Sequence, residues 1–219
     1  MIRLNKQMII VAGLYGSGKS TFRELLHPTG IILDADEISK KLNSKYTMRL
    51  LRIFLARREM NRTLKNTLNR NLDFLIEYTL VFQKPLRKMK LAKKKGYQIS
   101  LHFISLNSPS HHIQNVAKRV RYGGHSIPKL FIRFGYPLCY FHFLKALKYA
   151  NTVTVWGNSG EFKKIMEIRD NKIIYINEPL PSKLKNLKSK IQKSIEKERS
   201  FLNMPNIKKK IKTNQIVRS

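Results

Sequence analysis

Short apolar runs alternate along the chain with longer segments in which apolar residues recur every three or four positions. The runs are typical of strands buried on both faces, and the longer segments have the period of amphipathic helices. Strands separated by such helices are joined by crossover connections, which predicts an α/β fold with a parallel sheet and helices on both faces. The predicted strands cover residues 8–12, 31–34, 73–80, 97–106 and 151–156, and the predicted helices cover 19–27, 36–43, 48–71, 84–96, 108–121 and 128–150.

The pattern changes after the fifth predicted strand. Residues 163–177 resemble a hairpin that turns at Asp170 and Asn171. From about residue 182 a lysine-rich segment has leucine and isoleucine at spacings of three and four, which predicts a basic amphipathic helix over 181–203. Residues 204–219 have no period and are predicted to form a disordered basic tail. We therefore expect one α/β domain over residues 1–180, followed by the helix and the tail.

The charge of the chain is strongly one-sided. Its 219 residues include 44 Lys and Arg against 13 Asp and Glu, which gives a formal net charge of +31. Such a field attracts polyanions, so nucleic acid and anionic membrane are candidate partners of the basic tail. A compositional preference for lysine at solvated positions explains the charge equally well.

Neither export nor membrane insertion is predicted. No run approaches about 18 uncharged apolar residues, and the run at 8–12 is shorter than the roughly 7–15 apolar residues of a signal peptide. The single cysteine, Cys139, excludes an internal disulfide and is expected to be buried. We expect a cytoplasmic protein, and we expect its aromatic side chains to lie mainly in the core.

The strongest motif is GLYGSGKST, residues 13–21, which follows the first apolar run. It matches the phosphate-binding loop of P-loop proteins in its context of strand, loop and helix. Glycines let successive backbone N–H groups surround phosphates, Lys19 can reach the β- and γ-phosphates, and the Ser20 hydroxyl can hold Mg²⁺. The sequence therefore predicts a nucleoside triphosphate site. Its candidate binding residues are Gly13, Gly16, Ser17, Gly18, Lys19, Ser20 and Thr21.

Acidic residues are scarce, so their positions are informative. The sequence DADE at 34–37 follows the second predicted strand, at the edge of the sheet where the triphosphate would lie. A carboxylate there can accept a proton from an attacking hydroxyl, although Asp34 or Asp36 can equally cap the following helix. Glu77 ends the third predicted strand at the same edge, and a charge within an apolar strand favours a role in the site.

The chain resembles the zeta toxin family of P-loop kinases over about residues 8–160. The resemblance rests on GLYGSGKST, DADEI, the strand end IEYTL, and KKKGYQISLHFISL leading to VAKRVRYGGHSIP. It implies a P-loop kinase fold and transfer of the γ-phosphate of ATP, with Mg²⁺, to a hydroxyl of a UDP-activated amino sugar such as UDP-N-acetylglucosamine. Some members of the family are held inactive by a small antitoxin protein, which makes an antitoxin a candidate partner.

The same resemblance implies roles for individual residues. Asp36 corresponds to the general base, Glu77 contacts the sugar substrate, and Thr79 lies close by. Arg119 and Arg133 are the best matches to two arginines that neutralise the transferring phosphoryl group, as planar cationic donors can.

Three departures from the family pattern leave the catalytic competence of the site open. The stretch 134–142 lacks the arginines, the Arg-Ser-Leu and the Asn that usually follow the GGH block. An expected Asp-Asn-Ser is GNS at 157–159, and Arg121 competes with Arg119 for the first arginine role.

Alternative interpretations remain at this point. His125 in the GGH turn either contacts substrate or bonds the backbone, and His111–His112 lacks the acidic or cysteine neighbours of a metal site. A kinase of nucleic-acid 5′-hydroxyls or of another small metabolite would share the P-loop and its aspartate. A decayed kinase that binds polyanions is the third reading, from a different functional class.

Overall fold

The computed structural model describes residues 6–28, 30–42, 49–177 and 182–202. These residues form a seven-stranded sheet in the order β2-β3-β1-β4-β5-β6-β7. Strands β1 to β5 are parallel to one another, and β6 and β7 add an antiparallel hairpin at one edge. The strands are β1 (Gln7–Gly13), β2 (Ile31–Leu33), β3 (Phe74–Tyr78), β4 (Gln98–Ser105), β5 (Thr152–Asn158), β6 (Phe162–Arg169) and β7 (Lys172–Ile176).

Helices connect the parallel strands and cover both faces of the sheet, as the sequence predicts. They are α1 (Lys19–Leu25), α2 (Ala35–Lys41), α3 (Arg49–Asn69), α4 (Lys84–Lys94), α5 (Pro109–Arg121), α6 (Lys129–Ala146) and α7 (Ser182–Leu202), with a 3-10 turn at Leu147–Tyr149. No helix among the described residues is long and apolar enough to cross a membrane.

Alternation along the strands divides the core into two parts. In β1, Ile10 and Ala12 belong to a large cluster that includes residues of α3, α4, α5, α6 and α7. The intervening Val11 points to the opposite face, where it packs with Phe22 of α1 and Leu75 of β3 in a smaller cluster. This period of two explains why the central strands read as continuous apolar runs, since both of their faces are buried.

The register of the sheet brings the predicted acidic positions to one place. Leu33, the last residue of β2, lies opposite Ile76 of β3. The next residues along the two chains, Asp34 and Glu77, are therefore neighbours at the carboxyl ends of these strands. The β1 strand lies on the other side of β3 and leads directly into the glycine-rich loop. Parallel strands bind ligands at this edge, and the loop and the acids meet there.

The predicted hairpin is present, and its turn is Asp170–Asn171. Both residues have positive φ, 45° and 56°, as a tight hairpin turn requires, and Asp and Asn tolerate this conformation better than most residues. The C-terminal helix α7 is packed onto the domain, since Ile191 and Ile195 are buried in the large core cluster. The tail predicted over 204–219 lies outside the described residues.

Cys139 is buried as expected, but the expectation of buried aromatic residues is wrong for several of them. More than 45% of the side chain is exposed in Phe54, Phe82, Tyr122, Phe131, Phe134 and Phe141. Three of these six lie on α6, which is apolar on its outer as well as its inner side. Apolar residues occupy both sides of α6, and its few polar residues do not mark one side, so the sequence alone could not separate the two sides.

Candidate nucleotide and phosphotransfer site

The glycine-rich loop is held by its carbonyl oxygens. Four consecutive carbonyls each accept a hydrogen bond from a side chain: Leu14 from Lys19 Nζ (3.0 Å), Tyr15 from His112 Nδ1 (2.8 Å), Gly16 from Asn115 Nδ2 (2.9 Å) and Ser17 from Asn158 Nδ2 (2.9 Å). In a trans peptide the N–H that follows a carbonyl points the opposite way. The donors on α5 and β5 hold the carbonyls of Tyr15, Gly16 and Ser17 from outside the loop, which turns the N–H groups that follow them toward its concave side. This is the arrangement that binds phosphate.

Two positions in the loop require glycine. Gly16 and Gly18 have φ of 71° and 92°, a conformation that other residues rarely adopt. A Cβ on Gly16 would lie 2.7 Å from the carbonyl oxygen of His112, and one on Gly18 would lie 2.5 Å from Asn158 Nδ2. The elements that anchor the loop therefore approach it too closely for any side chain.

His112 is an anchor of the loop and not a metal ligand. Its Nδ1 must carry the hydrogen, because the Tyr15 carbonyl can only accept. Burial, with a smaller contribution from the Lys19 charge, lowers the pKa of His112 to about 4, so the ring is neutral at physiological pH. Within the described part of the chain, no group of three or more His, Cys, Asp or Glu could hold a metal ion.

Two buried histidines are expected to make the fold sensitive to acid. Burial lowers the pKa of His102 to about 4 as well, and its Nδ1 accepts a hydrogen bond from Trp156 Nε1, so the structure requires the neutral ring. The pKa of each in the unfolded chain is near 6.5. The contribution of the two neutral rings to the free energy of unfolding is complete above pH 6.5 and is lost as the pH falls toward 4. The loss is up to about 3 kcal/mol for each histidine. We expect the urea midpoint to fall accordingly between about pH 7 and pH 4.

Variants without the titrating groups give the matched test of this acid sensitivity. His112→Asn keeps a donor near the Tyr15 carbonyl, and His102→Phe keeps a ring against Phe22 and Trp156. The double variant should have a flatter dependence of the urea midpoint on pH. An unchanged slope would show that other groups cause the acid sensitivity.

A cluster of charged side chains lies beside the loop. Arg23 of α1 pairs with Asp34 after β2 (2.8 Å) and with Glu77 on β3 (3.1 Å), and its distance to Glu37 is 3.8 Å. The hydroxyl of Ser20, one turn before Arg23, donates to Glu77 Oε2 at 3.2 Å. The cluster therefore links the P-loop serine to the carboxyl ends of two neighbouring strands.

The environment of Glu77 makes its ionised form less favourable than it is in water. Burial raises the pKa of Glu77, the nearby Asp34 carboxylate raises it further, and Lys19 and Arg23 lower it in part. Its Oε1 is buried and has no well-aligned hydrogen bond, although Arg23 lies at ion-pair distance. A buried carboxylate oxygen without an aligned donor is costly to keep, which is typical of a site that receives a ligand.

The other predicted site residues have different surroundings. Asp36 is the second residue of α2, and its side chain lies outside the described residues. Asp34 shows the capping alternative in part, since its Oδ1 lies 3.5 Å from the backbone N–H of Glu37. Thr79 is half-buried just after the end of β3, two residues after Glu77.

The predicted arginines lie on the surface of the two helices around the GGH turn. Arg119 at the end of α5 donates to the backbone carbonyl of His125 at 2.8 Å, so these two residues form one turn. Arg133 is exposed on α6. The arginine that contacts the acidic cluster is Arg23, which the sequence reading did not single out. Its spacing from Ser20, one helical turn, was the available signal.

The family comparison covers this nucleotide site. A family model described as an AAA domain (AAA_33) matches residues 8–129, which is more than half of the chain. The chain belongs to this AAA domain family. The match begins in β1 and includes the P-loop, the acidic cluster and α5 with its two loop anchors. A relative from Haemophilus influenzae, named only as an uncharacterized protein, is 28% identical over 134 residues, which are 61% of this chain and 94% of the relative.

Solved structures share the fold at low sequence identity. A chain of the PezAT chromosomal toxin-antitoxin system of Streptococcus pneumoniae has 16% identity and a TM-score of 0.55, covering 89% of this chain and 85% of that one. A chain of the AvrRxo1-ORF1:-ORF2 complex crystallised with ATP has 12% identity and a TM-score of 0.61, covering 88% and 76%. The chain thus has the P-loop kinase fold, which agrees with the fold expected from the sequence.

Proposed function

We propose that this protein is an ATP-dependent kinase that phosphorylates a hydroxyl of a UDP-activated amino sugar. The observation that carries the proposal is the P-loop with three carbonyls anchored from α5 and β5, placed beside the Arg23–Asp34–Glu77 cluster. Loop, lysine and carboxylates at one sheet edge are the parts that phosphoryl transfer needs. A structure of similar fold crystallised with ATP supports ATP as the phosphate donor.

The loop and α1 would bind the triphosphate and its metal. The loop amides and Lys19 would contact the phosphates, with Lys19 leaving the Leu14 carbonyl. Ser20 Oγ would hold Mg²⁺, which takes oxygen ligands. Bound there, Mg²⁺ would neutralise charge on the phosphates. A site with so few protein ligands fits Mg²⁺, which is usually held by one or two side chains together with the nucleotide.

The acceptor hydroxyl would be activated by Asp36. Its position in the first turn of α2 follows directly on Asp34, which is anchored by Arg23. As the acceptor oxygen bonds to the γ-phosphorus, the hydroxyl proton passes to the Asp36 carboxylate and the bond to the ADP oxygen breaks. Arg119 and Arg133 would stabilise the transferring charge, which requires α5 and α6 to approach the nucleotide when it binds.

The acceptor class rests on the sequence resemblance and on two positions in the fold. Glu77 and Thr79 are half-buried at the sheet edge, so both lie where a sugar hydroxyl could be positioned. His125 would contact the substrate through the turn that Arg119 holds. By analogy with the PezAT toxin-antitoxin system, a small antitoxin protein is a candidate partner.

Phosphotransfer from γ-labelled ATP tests the acceptor directly. UDP-N-acetylglucosamine, a 5′-hydroxyl oligonucleotide and unphosphorylated small metabolites would be offered in parallel. Label on the UDP-sugar alone is the expected result. Label on the oligonucleotide would show that the protein is a kinase but that its acceptor is not a UDP-sugar. ATP binding without transfer to any acceptor would favour a decayed enzyme.

The general-base assignment has its own test. Asp36→Asn keeps the size of the side chain but removes the proton acceptor, so kcat should fall by about 10²–10⁴-fold. ATP affinity, measured by fluorescence of a labelled analogue, should change little. Glu59→Gln, an exposed acid-to-amide change on α3, is the control. If Asp36→Asn transferred phosphate as well as Glu59→Gln does, Asp36 would not be the base.

A further inference from the structure

The outer side of α6 is apolar and is not covered by the part of the chain that the structure describes. Five large side chains on this side are between 44% and 65% exposed: Leu130, Phe131, Phe134, Leu138 and Phe141. At 100° per residue these positions fall within a sector of about 100° of the helix. We call them the α6 apolar face. The opposite side of α6 is buried in the core, so the face is not needed for packing within the described domain.

The α6 apolar face lies in cationic surroundings. Lys129 is exposed in the first turn of this helix, and Lys145 lies within the sector, with its Nζ 4.1 Å from the ring centroid of Phe141. Between Glu77 and Glu161 the chain has 14 Lys and Arg and no acidic residue, and this segment includes all of α4, α5 and α6. No carboxylate of α4, α5 or α6 therefore offsets these charges.

We propose that the α6 apolar face docks this protein on the surface of an anionic lipid bilayer. The phenylalanine and leucine side chains would enter the boundary between headgroups and acyl chains, and the flanking cations would contact lipid phosphates. Apolar burial and attraction to anionic lipid add together in such helices, which lie in the plane of the interface. The exposed apolar residues and the absence of acids both fit this partner.

Other occupants fit the charge less well. A second copy would bring another +31 against the first, which opposes self-association. The segment 203–219 has five Lys and Arg and no acid, so it matches neither the apolar face nor its cationic border. Nucleic acid would contact the cations, but it offers no apolar interior for Leu130 and Leu138. An anionic bilayer provides both an apolar interior for these side chains and negative charge for the flanking cations.

Vesicle co-sedimentation of the full chain tests the proposal. Vesicles of phosphatidylcholine alone would be compared with vesicles that contain phosphatidylglycerol at about one part in three, at physiological salt. We expect binding to the anionic vesicles alone. The variant Phe131→Ser/Phe134→Ser should bind these vesicles at least about tenfold more weakly, because the inserted apolar area is lost.

The control is Phe54→Ser/Phe82→Ser, which removes two phenylalanines of similar exposure from other elements. It should bind vesicles like the unmodified chain. Lys129→Gln/Lys145→Gln should weaken binding and reduce its salt dependence. Three results would overturn the proposal: equal vesicle binding by both phenylalanine variants, loss of oligonucleotide binding instead of vesicle binding, or a dimer that the Phe131→Ser/Phe134→Ser change dissociates.

Discussion

Lys19→Ala is expected to reduce phosphotransfer by at least about 10²-fold, the loss typical of removing one preorganised charge from a transition state. The ammonium group is already held against the loop by the Leu14 carbonyl, at the place where the β- and γ-phosphates would lie. The loop itself should persist in this variant, because the carbonyls of Tyr15, Gly16 and Ser17 are anchored by other side chains. The loss would therefore report on charge and not on collapse of the loop.

A steady-state assay with labelled ATP, together with ATP-binding titrations, measures this effect. Lys90→Ala is the matched control, since Lys90 is exposed on α4 and its removal changes the net charge by the same amount. It should leave rate and affinity unchanged. Equal activity in Lys19→Ala and Lys90→Ala would mean that the loop does not bind the transferring phosphates, and the kinase proposal would fail.

Arg23→Ala is expected to destabilise the fold by about 3 kcal/mol and also to abolish phosphotransfer. The Arg23 side chain is 15% exposed, and its partners Asp34 and Glu77 are 14% and 9% exposed. Removing the cation takes the shared ion-pair partner away from two largely buried carboxylates that lie close together, which costs far more than losing a surface ion pair. The position of Asp34, and with it the start of α2 and Asp36, would no longer be held.

The pH dependence separates this mechanism from a simple packing loss. Arg23 lowers the pKa of Glu77 against the stronger effect of burial, so the variant should have a Glu77 pKa that is raised further. A group whose pKa is raised in the folded state stabilises the fold when protonated, and this stabilisation is lost as the pH rises through the folded pKa. The destabilisation relative to the unmodified chain should therefore grow as the pH rises above about 4.5.

Urea unfolding across this pH range provides the measurement. Arg23→Lys keeps a cation that can reach one carboxylate and should recover part of the stability, while Arg87→Ala, an exposed arginine on α4, should have little effect. A destabilisation by Arg23→Ala that does not vary with pH would show that packing, and not charge pairing, is the contribution of Arg23.

Features that depend on neighbouring residues could be predicted from the sequence alone. Continuous apolar runs predicted the parallel strands, because both faces of these strands are buried, and the period of 3.6 predicted the helices, because burial on a helix repeats with its geometry. The hairpin followed from Asp170–Asn171, whose residue types tolerate positive φ. The P-loop followed from the spacing of Gly13, Gly18 and Lys19, since a short loop carries its own phosphate-binding amides. The family match over 8–129 covers this same region.

The tertiary structure decided which distant side chains meet. The side chains that anchor the loop are separated from it by 97, 99 and 141 positions in the sequence. The register of β2 and β3 places Asp34 beside Glu77, where Arg23 pairs with both. No local pattern encodes these contacts, because they depend on how strands are ordered in the sheet. The exposed apolar side of α6 could not be predicted from the sequence for a related reason. A helix with apolar residues on both sides has the same sequence pattern whether one side or both sides are buried, and the packing of the domain alone selects the side that remains exposed.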